Sequence, residues 1–266
     1  MNKIMLLLLV ALVSGCASDQ PLKLWDATAM AALPYRTLSL KEKQSNQISA
    51  SINIADIQQM IWIKEQMESA AGSLHTRLFL AEGNEPNGFS AVSAHGPIIA
   101  VNIGMVNLLG RDNDAMAALI GHELAHLYLN HGHSRQDREE SRMAASAILS
   151  VALGMFGIPI PFEVTNVATA PISNKFSREE EHDADRLGVK YMVQAGFDPF
   201  GSVRLQEKLG AASRGASLPF LSSHPSSPER VENMKRLAME YKPGQAALPP
   251  EKEDNLENKN QREQHQ

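Results

Sequence analysis

One helix-like stretch of this chain contains His122-Glu123-Leu124-Ala125-His126, and that run limits the fold more than any other. Side chains four apart share one face of a helix, so two imidazoles can reach one metal ion. Glu123, beside the first histidine, can then reach a metal-bound water as general base. The pattern has this meaning only if a helix carries it, and the flanks predict one. The helix is expected to start at the Asp112-Asn113-Asp114 cluster and to end at Gly132, a residue favoured just past a helix.

A catalytic zinc ion needs a third protein ligand and leaves one position open for water. The metzincin arrangement takes a further histidine six residues on, after a glycine at three. Those positions are Leu129 and Gly132, which excludes it. At about 100° per residue, His131 falls well round the helix from His126. His131 and His133 therefore read as helix-end residues that complement the C-terminal dipole. The other arrangement takes a glutamate from a later helix, and Glu181-His182-Asp183-Ala184-Asp185 fits it. Glu181 and Asp185 lie one turn apart and face the same way. Glu181 is the candidate third ligand, and Asp185 the acceptor that fixes the tautomer of His122. Ser177-Arg178-Glu179-Glu180 has capping-box spacing and opens this helix, with Glu179 and Glu180 solvated at its start.

Around these two motifs the pattern is coarse. Ile52, Met60, Ile63 and Met67 sit at helical spacing, with an end near Gly72. Leu78-Phe79-Leu80 and Ile98-Ile99-Ala100-Val101 are short β-type runs, separated by turn residues around Asn84, Pro86, Asn87 and Gly88. Asp198-Pro199 and Ser227-Pro228 open two more helices. The expected class is α+β: a mostly helical domain over residues 47–242 with a small antiparallel sheet, then a disordered polar tail at 243–266. Residues 143–162 carry no charge and approach the length of a membrane span. Both halves of the site must share one side of a membrane, so this stretch reads as a buried helix or an apolar flap beside the cleft.

Of the 266 residues, 43% are apolar and 21% charged, and the net charge of −5 gives no basic field for nucleic acid. The single cysteine excludes an internal disulfide, and its place is informative. Met1-Asn2-Lys3, an apolar run from Ile4 to Val13, and Val13-Ser14-Gly15-Cys16 describe a secretory signal whose end resembles the bacterial lipobox. The expectation is a signal peptide at 1–15, lipidation of Cys16, and an anchor and tether over 16–46. Ala17, where an aspartate would favour inner-membrane retention, points to an outer-membrane anchor facing the periplasm.

Residues 74–234 resemble the M48 zinc metallopeptidases, in particular their periplasmic BepA/LoiP-like branch. The resemblance rests on His122-Glu123-Leu124-Ala125-His126, on the run from Phe176 to Gly188, and on Ser223-His224-Pro225 followed by Arg230. It implies a gluzincin-like fold and one Zn2+ per chain, with His122, His126 and Glu181 as ligands and Glu123 as base. It also implies cleavage within unfolded or misassembled envelope proteins. His224 matches a histidine close to the metal, which stabilises an oxyanion or fills the fourth zinc position. Arg230 is implied to orient substrate or intermediate, and Asn87 to line the cleft. Here the cleft element reads Asn87-Gly88-Phe89, and Ala94-His95-Gly96-Pro97 replaces a glycine-rich lead into the next strand.

A substrate peptide is expected to pair through its main chain with an edge strand near 98–102, which makes sequence specificity loose. The function expected is a zinc endopeptidase anchored to the membrane by lipid in the periplasm, with the outer-membrane assembly machinery as a candidate partner. The alternative is a chaperone-like or binding lipoprotein with a latent zinc site. Glu123 argues against it, since a structural site needs no base.

Overall fold

The computed structural model describes residues 24–41, 48–72, 74–93, 95–132, 175–213 and 218–241. The expected signal peptide at 1–15, Cys16, His133, the apolar stretch at 143–162 and the expected tail at 243–266 lie outside the described residues. Among those described, no helix is long and apolar enough to cross a membrane.

The folded part begins well before residue 47. Strand β1 (Leu24–Asp26) pairs antiparallel with β4 (Arg77–Ala81), so the end of the expected tether is built into the main sheet. Three residues suffice because both faces of β1 are used: Trp25 enters the larger core while Leu24 packs with Phe79, Ile98 and Ala100 on the opposite face. Helix α1 (Ala27–Ala31) follows, its first turn capped by Asp26, and β2 (Thr37–Lys41) then forms a separate two-stranded sheet with β3 (Ile48–Asn53). Ile52 belongs to β3 rather than to the helix expected around it, and is buried there. Asn53 caps that helix, α2 (Ile54–Ala70), by accepting from the Ala55 N–H at 3.0 Å.

The main sheet is mixed, not antiparallel throughout. Its order is β1-β4-β6-β5, with β5 at Gly88–Ser93 and β6 at Gly96–Asn102. After β4 the chain passes to the outer edge as β5, and a tight hairpin closed by the Ser93–Gly96 pair returns β6 between them. Gly96, at φ 99°, permits that reversal. β6 therefore runs antiparallel to β5 and parallel to β4. It is an internal strand with a ladder on both sides, which explains its unbroken apolar run and rules it out as the edge that takes a peptide. Among the described residues, the edge on that side is β5.

Helix α3 (Ile103–Leu109) leads to α4 (Asn113–Tyr128), which carries the paired histidines. Asp112 caps α4 by accepting from the Ala115 N–H at 3.1 Å. α4 ends four residues before Gly132, and the turn beyond it bears on the site. Helix α5 (Arg178–Gln194) has a complete capping box between Ser177 and Glu180. It is followed by α6 (Phe200–Ser213), α7 (Pro219–Ser223) and α8 (Pro228–Glu240). α7 is a single short turn for which the sequence offered no periodicity. The sheet face with Trp25, Leu78, Leu80, Ile99 and Val101 shares one core with α2 and α4, so α4 is packed on nearly every side.

α4 and α5 cross in backbone contact. A Cβ at Gly188 would lie 3.0 Å from both Gly121 C and His122 N, and one at Gly121 would lie 3.1 Å from Gly188 O. This glycine pair sits beside His122 on one helix and one turn beyond Asp185 on the other, so it sets how closely the two motifs face each other.

Candidate metal centre

His122 and His126 project from α4 toward the first turns of α5, where Glu181 and Asp185 stand one turn apart. His224 enters from the loop just after α7. The side chains of His122, His126, Glu181 and His224 bring one potential ligand atom each to within 4.8 Å of one another, all buried. His122 Nε2 lies 3.0 Å from His126 Nε2 and 3.1 Å from His224 Nδ1. Glu181 Oε1 lies 2.9 Å from His224 Nδ1 and 3.5 Å from His126 Nε2, and its Oε2 lies 3.6 Å from His122 Nε2. A tetrahedron with metal–ligand bonds of ~2.0–2.1 Å has edges of about 3.3–3.4 Å, in the middle of this range. The donor set fits a divalent metal ion in its chemistry too. Imidazole nitrogens facing each other at such distances repel unless a proton or a cation lies between them.

Formal charge gives the same answer. Glu123, Glu181 and Asp185 are buried with one cation, Arg230, which leaves two negative charges for a divalent ion to balance. Glu123 is 1% exposed, and its Oε1 lies 3.4 Å from His224 Nε2. Burial works to raise the Glu181 carboxyl, but the imidazoles of His122, His126 and His224 around it hold it far below the usual carboxylate range. Burial pushes His126 well below the ordinary imidazole value, helped by the neighbouring His122. A neutral imidazole and an ionised carboxylate are the forms that bind metal.

Support for the donors comes from two sides. Asp185 Oδ1 lies 3.0 Å from His122 Nδ1, the ring nitrogen turned away from the cluster. Arg230, expected to orient substrate or intermediate, is buried and bonded within the protein. Its Nε donates to Asp185 Oδ2 at 2.6 Å, its Nη2 to Asp185 Oδ1 at 2.7 Å, and its Nη1 to Pro225 O at 3.2 Å. Nη1 also pairs with Glu181 Oε2. Against the cost of burial, the Arg230 charge holds the Asp185 carboxyl low. Ser227 caps α8 by accepting from the Arg230 N–H, and that is what plants this guanidinium under the two carboxylates.

Several residues that hold the site were not singled out by the sequence reading. Phe176 stacks on His126 with centroids 3.7 Å apart, and Phe220 of α7 stacks on His224 at 4.6 Å. The Phe176 N–H donates to Ser223 O at 3.0 Å, tying the start of α5 to the loop that carries His224. His131, read as a helix-end residue that complements the dipole, is buried, and its Nδ1 lies 2.9 Å from His126 Nδ1. The helical count failed because the chain leaves α4 after Leu129. Asn130 takes φ 57°, the sole positive φ outside glycine among the described residues, and turns His131 back over the helix end. An asparagine just past a helix was the available signal.

Asn87 stands at the head of β5. Its Oδ1 accepts from the Gly88 N–H at 3.0 Å, and its own N–H donates to Asn102 Oδ1 at 2.9 Å. These bonds join the edge strand to the start of α3 and do not reach the four donors. β5 itself lies against α4, where a Cβ on Gly88 would be 3.3 Å from Leu119 Cδ1.

A buried His-Glu-x-x-His helix, completed by a carboxylate from a later helix, defines a metal-dependent peptidase. The model of Peptidase family M48 matches residues 54–238, and the chain belongs to that family of metallopeptidases. The metalloprotease YcaL of Escherichia coli K12 is 23% identical over 237 residues, covering 85% of this chain and 92% of YcaL. The metalloprotease LoiP of the same organism is 26% identical over 137 residues, 52% of this chain and 54% of LoiP. Its β-barrel assembly-enhancing protease is 26% identical over 192 residues, 67% of this chain and 38% of that protein. The chain thus spans nearly all of one relative and about half or less of the other two.

Proposed function

We propose that this chain is a zinc-dependent endopeptidase of the bacterial envelope that cleaves unfolded or misassembled envelope proteins. The observation that carries the reading is the buried Glu123 beside four converging metal donors, since a purely structural metal site has no use for a base. His122, His126 and Glu181 would hold the zinc ion, which would supply a Lewis acid for a carbonyl and for an acidic water. Glu123 takes the proton of that water and delivers it to the leaving amine. Asp185 holds His122 in the tautomer whose Nε2 lone pair faces the site, and Arg230 keeps Asp185 and Glu181 ionised. An extended peptide adds to the free edge of β5, near Asn87, through main-chain hydrogen bonds that read little side-chain identity.

His224 gives weight to a second reading of the same site. Its Nδ1 stands at the fourth corner, the position a hydrolytic site leaves open for water. In this conformation the centre is closed, and hydrolysis requires His224 to withdraw, after which its imidazole is free to support an oxyanion. A centre that stays closed would make the protein a binding or chaperone-like lipoprotein. The lipobox-like Cys16 supports an outer-membrane lipid anchor facing the periplasm. The name of the β-barrel assembly-enhancing relatives supports substrates among envelope proteins and contact with the outer-membrane assembly machinery. The test is casein cleavage by the zinc-loaded full-length protein and its His224→Ala variant. Cleavage that rises in the variant supports a latent peptidase, whereas zinc without cleavage in either favours the binding protein.

A further inference from the structure

The two histidines of α4 are supported differently. The outer nitrogen of His122 faces the carboxylate of Asp185, which Arg230 grips with two nitrogens. The outer nitrogen of His126 faces another imidazole, His131, at 2.9 Å. We propose that His131 is a positioning residue for the metal centre: its Nδ1 accepts the Nδ1–H of His126 and thereby fixes which nitrogen of that ligand faces the metal. This rests on the zinc peptidase reading and adds to it a residue five positions beyond the second histidine.

A ring stack leaves the orientation of His126 within its plane undecided. Phe176 lies against His126 with centroids 3.7 Å apart and planes 24° apart, which fixes the plane of the imidazole. Turning the ring over within that plane exchanges Nε2 with Cε1 and Nδ1 with Cδ2, and stacking is nearly indifferent to the exchange. In one orientation a nitrogen lone pair points at the metal; in the other a C–H does. A partner at the Nδ1 edge distinguishes them before any metal arrives, and His131 Nδ1 is the atom placed there. The same bond settles the tautomer. A proton on Nδ1 of His126 leaves Nε2 with its lone pair toward His122 Nε2 and Glu181, as metal binding requires.

An imidazole suits this position better than a second carboxylate. Three buried carboxylates and one guanidinium already leave the two negative charges that a divalent ion balances. A neutral acceptor fixes His126 without adding a third. Its placement requires a special backbone. Continued as a helix, residue 131 would point well away from His126. The left-handed turn at Asn130 ends α4 and folds the next residue back, and His131 is 8% exposed as a result. Asparagine is among the few non-glycine residues that adopt this conformation readily.

The test measures zinc affinity of the full-length protein in detergent, by competition with a chelator of known strength. Wild type must first bind about one zinc per chain. If it does not, the peptidase reading fails and this inference fails with it. His131→Phe keeps a ring in the pocket and removes the acceptor, and is expected to weaken zinc binding by roughly 10- to 100-fold. His131→Asn places an amide oxygen near the former Nδ1 and should recover most of that loss. Asn130→Gly should bind zinc like wild type. Equal zinc affinity in wild type and His131→Phe would overturn the proposal, as would His131→Asn no better than His131→Phe, because the ring would then serve packing alone. Nitrogen-15 spectra of the metal-free wild type need no variant to fold. They should show His126 protonated at Nδ1, and protonation at Nε2 would overturn the assignment.

Discussion

The helix pair α4/α5 and the four-stranded sheet share one core but are built on opposite terms. In the sheet, β4 and β6 bury apolar side chains on both faces, and little but backbone pairing is polar. Around α4 and α5 the chain buries three carboxylates, one arginine and four histidines in the same volume. Burying a charge costs several kcal/mol unless it is paired, so each group there must have a partner in place before a metal arrives. Stability is made in the sheet and spent in the helix pair, where the chemistry lies. The two regions should therefore respond differently to the same disturbance.

The largest effect is expected from Arg230→Met. It strips the cation from Asp185 and Glu181 together, and removing one partner of a buried ion pair costs about 3–5 kcal/mol. Urea unfolding of the metal-free variant checks this, and a loss below about 1 kcal/mol would mean the carboxylates are already paired by the histidines. Metal removal comes next. At a zinc concentration of 100 times Kd, binding adds about 2.7 kcal/mol, and chelation should remove it. Hydrogen exchange should then speed up at the end of α4 and the start of α5, while β4 and β6 stay protected. Uniform loosening would erase the contrast between the two regions.

Gly188→Ala should cost about 1–3 kcal/mol, because the new Cβ has backbone atoms 3.0 Å away and the helices must part. Parting them also separates His122 from Glu181, so zinc affinity should fall with stability. Zinc affinity that holds while stability drops would show that the glycine contact does not set the site. The smallest effect is expected at the sheet edge. Val92 on β5 is 74% exposed, so Val92→Lys should change stability by less than ~0.5 kcal/mol and leave zinc binding alone. If β5 is the edge that receives substrate, KM for a peptide should shift while kcat does not.

The same contrast governs how much could be read from the sequence. What lies between α4 and α5 was legible because it is local: residues four apart on a helix face, a capping box from Ser177 to Glu180, Asp112 as a cap. The sheet was legible only as apolar runs. Which strand neighbours which depends on the path from β4 to β5, and no local pattern records that β6 is inserted second. Hence the edge was assigned to 98–102 when β5 holds it. Leu24–Asp26 was read as tether because three residues show no periodicity, although both of their faces are buried in the sheet. Within the site, the misses were long-range or broke the helical count. Arg230 reaches Asp185 across 45 residues of sequence, and one left-handed residue at Asn130 cancels the rule that placed His131 on the far side of the helix.

The central claim is that α4 and α5 hold one metal ion with Glu123 poised as the base, and it is tested most directly by a single comparison. Zinc content and casein cleavage are measured together for the full-length protein and for Glu123→Gln, with His224→Ala as the background if the wild type proves closed. The account predicts about one zinc per chain in both and a loss of cleavage of at least roughly 100-fold in Glu123→Gln, the least that a general base contributes. Zinc retained with cleavage undiminished in Glu123→Gln would contradict it, because the proton would then be carried by another group.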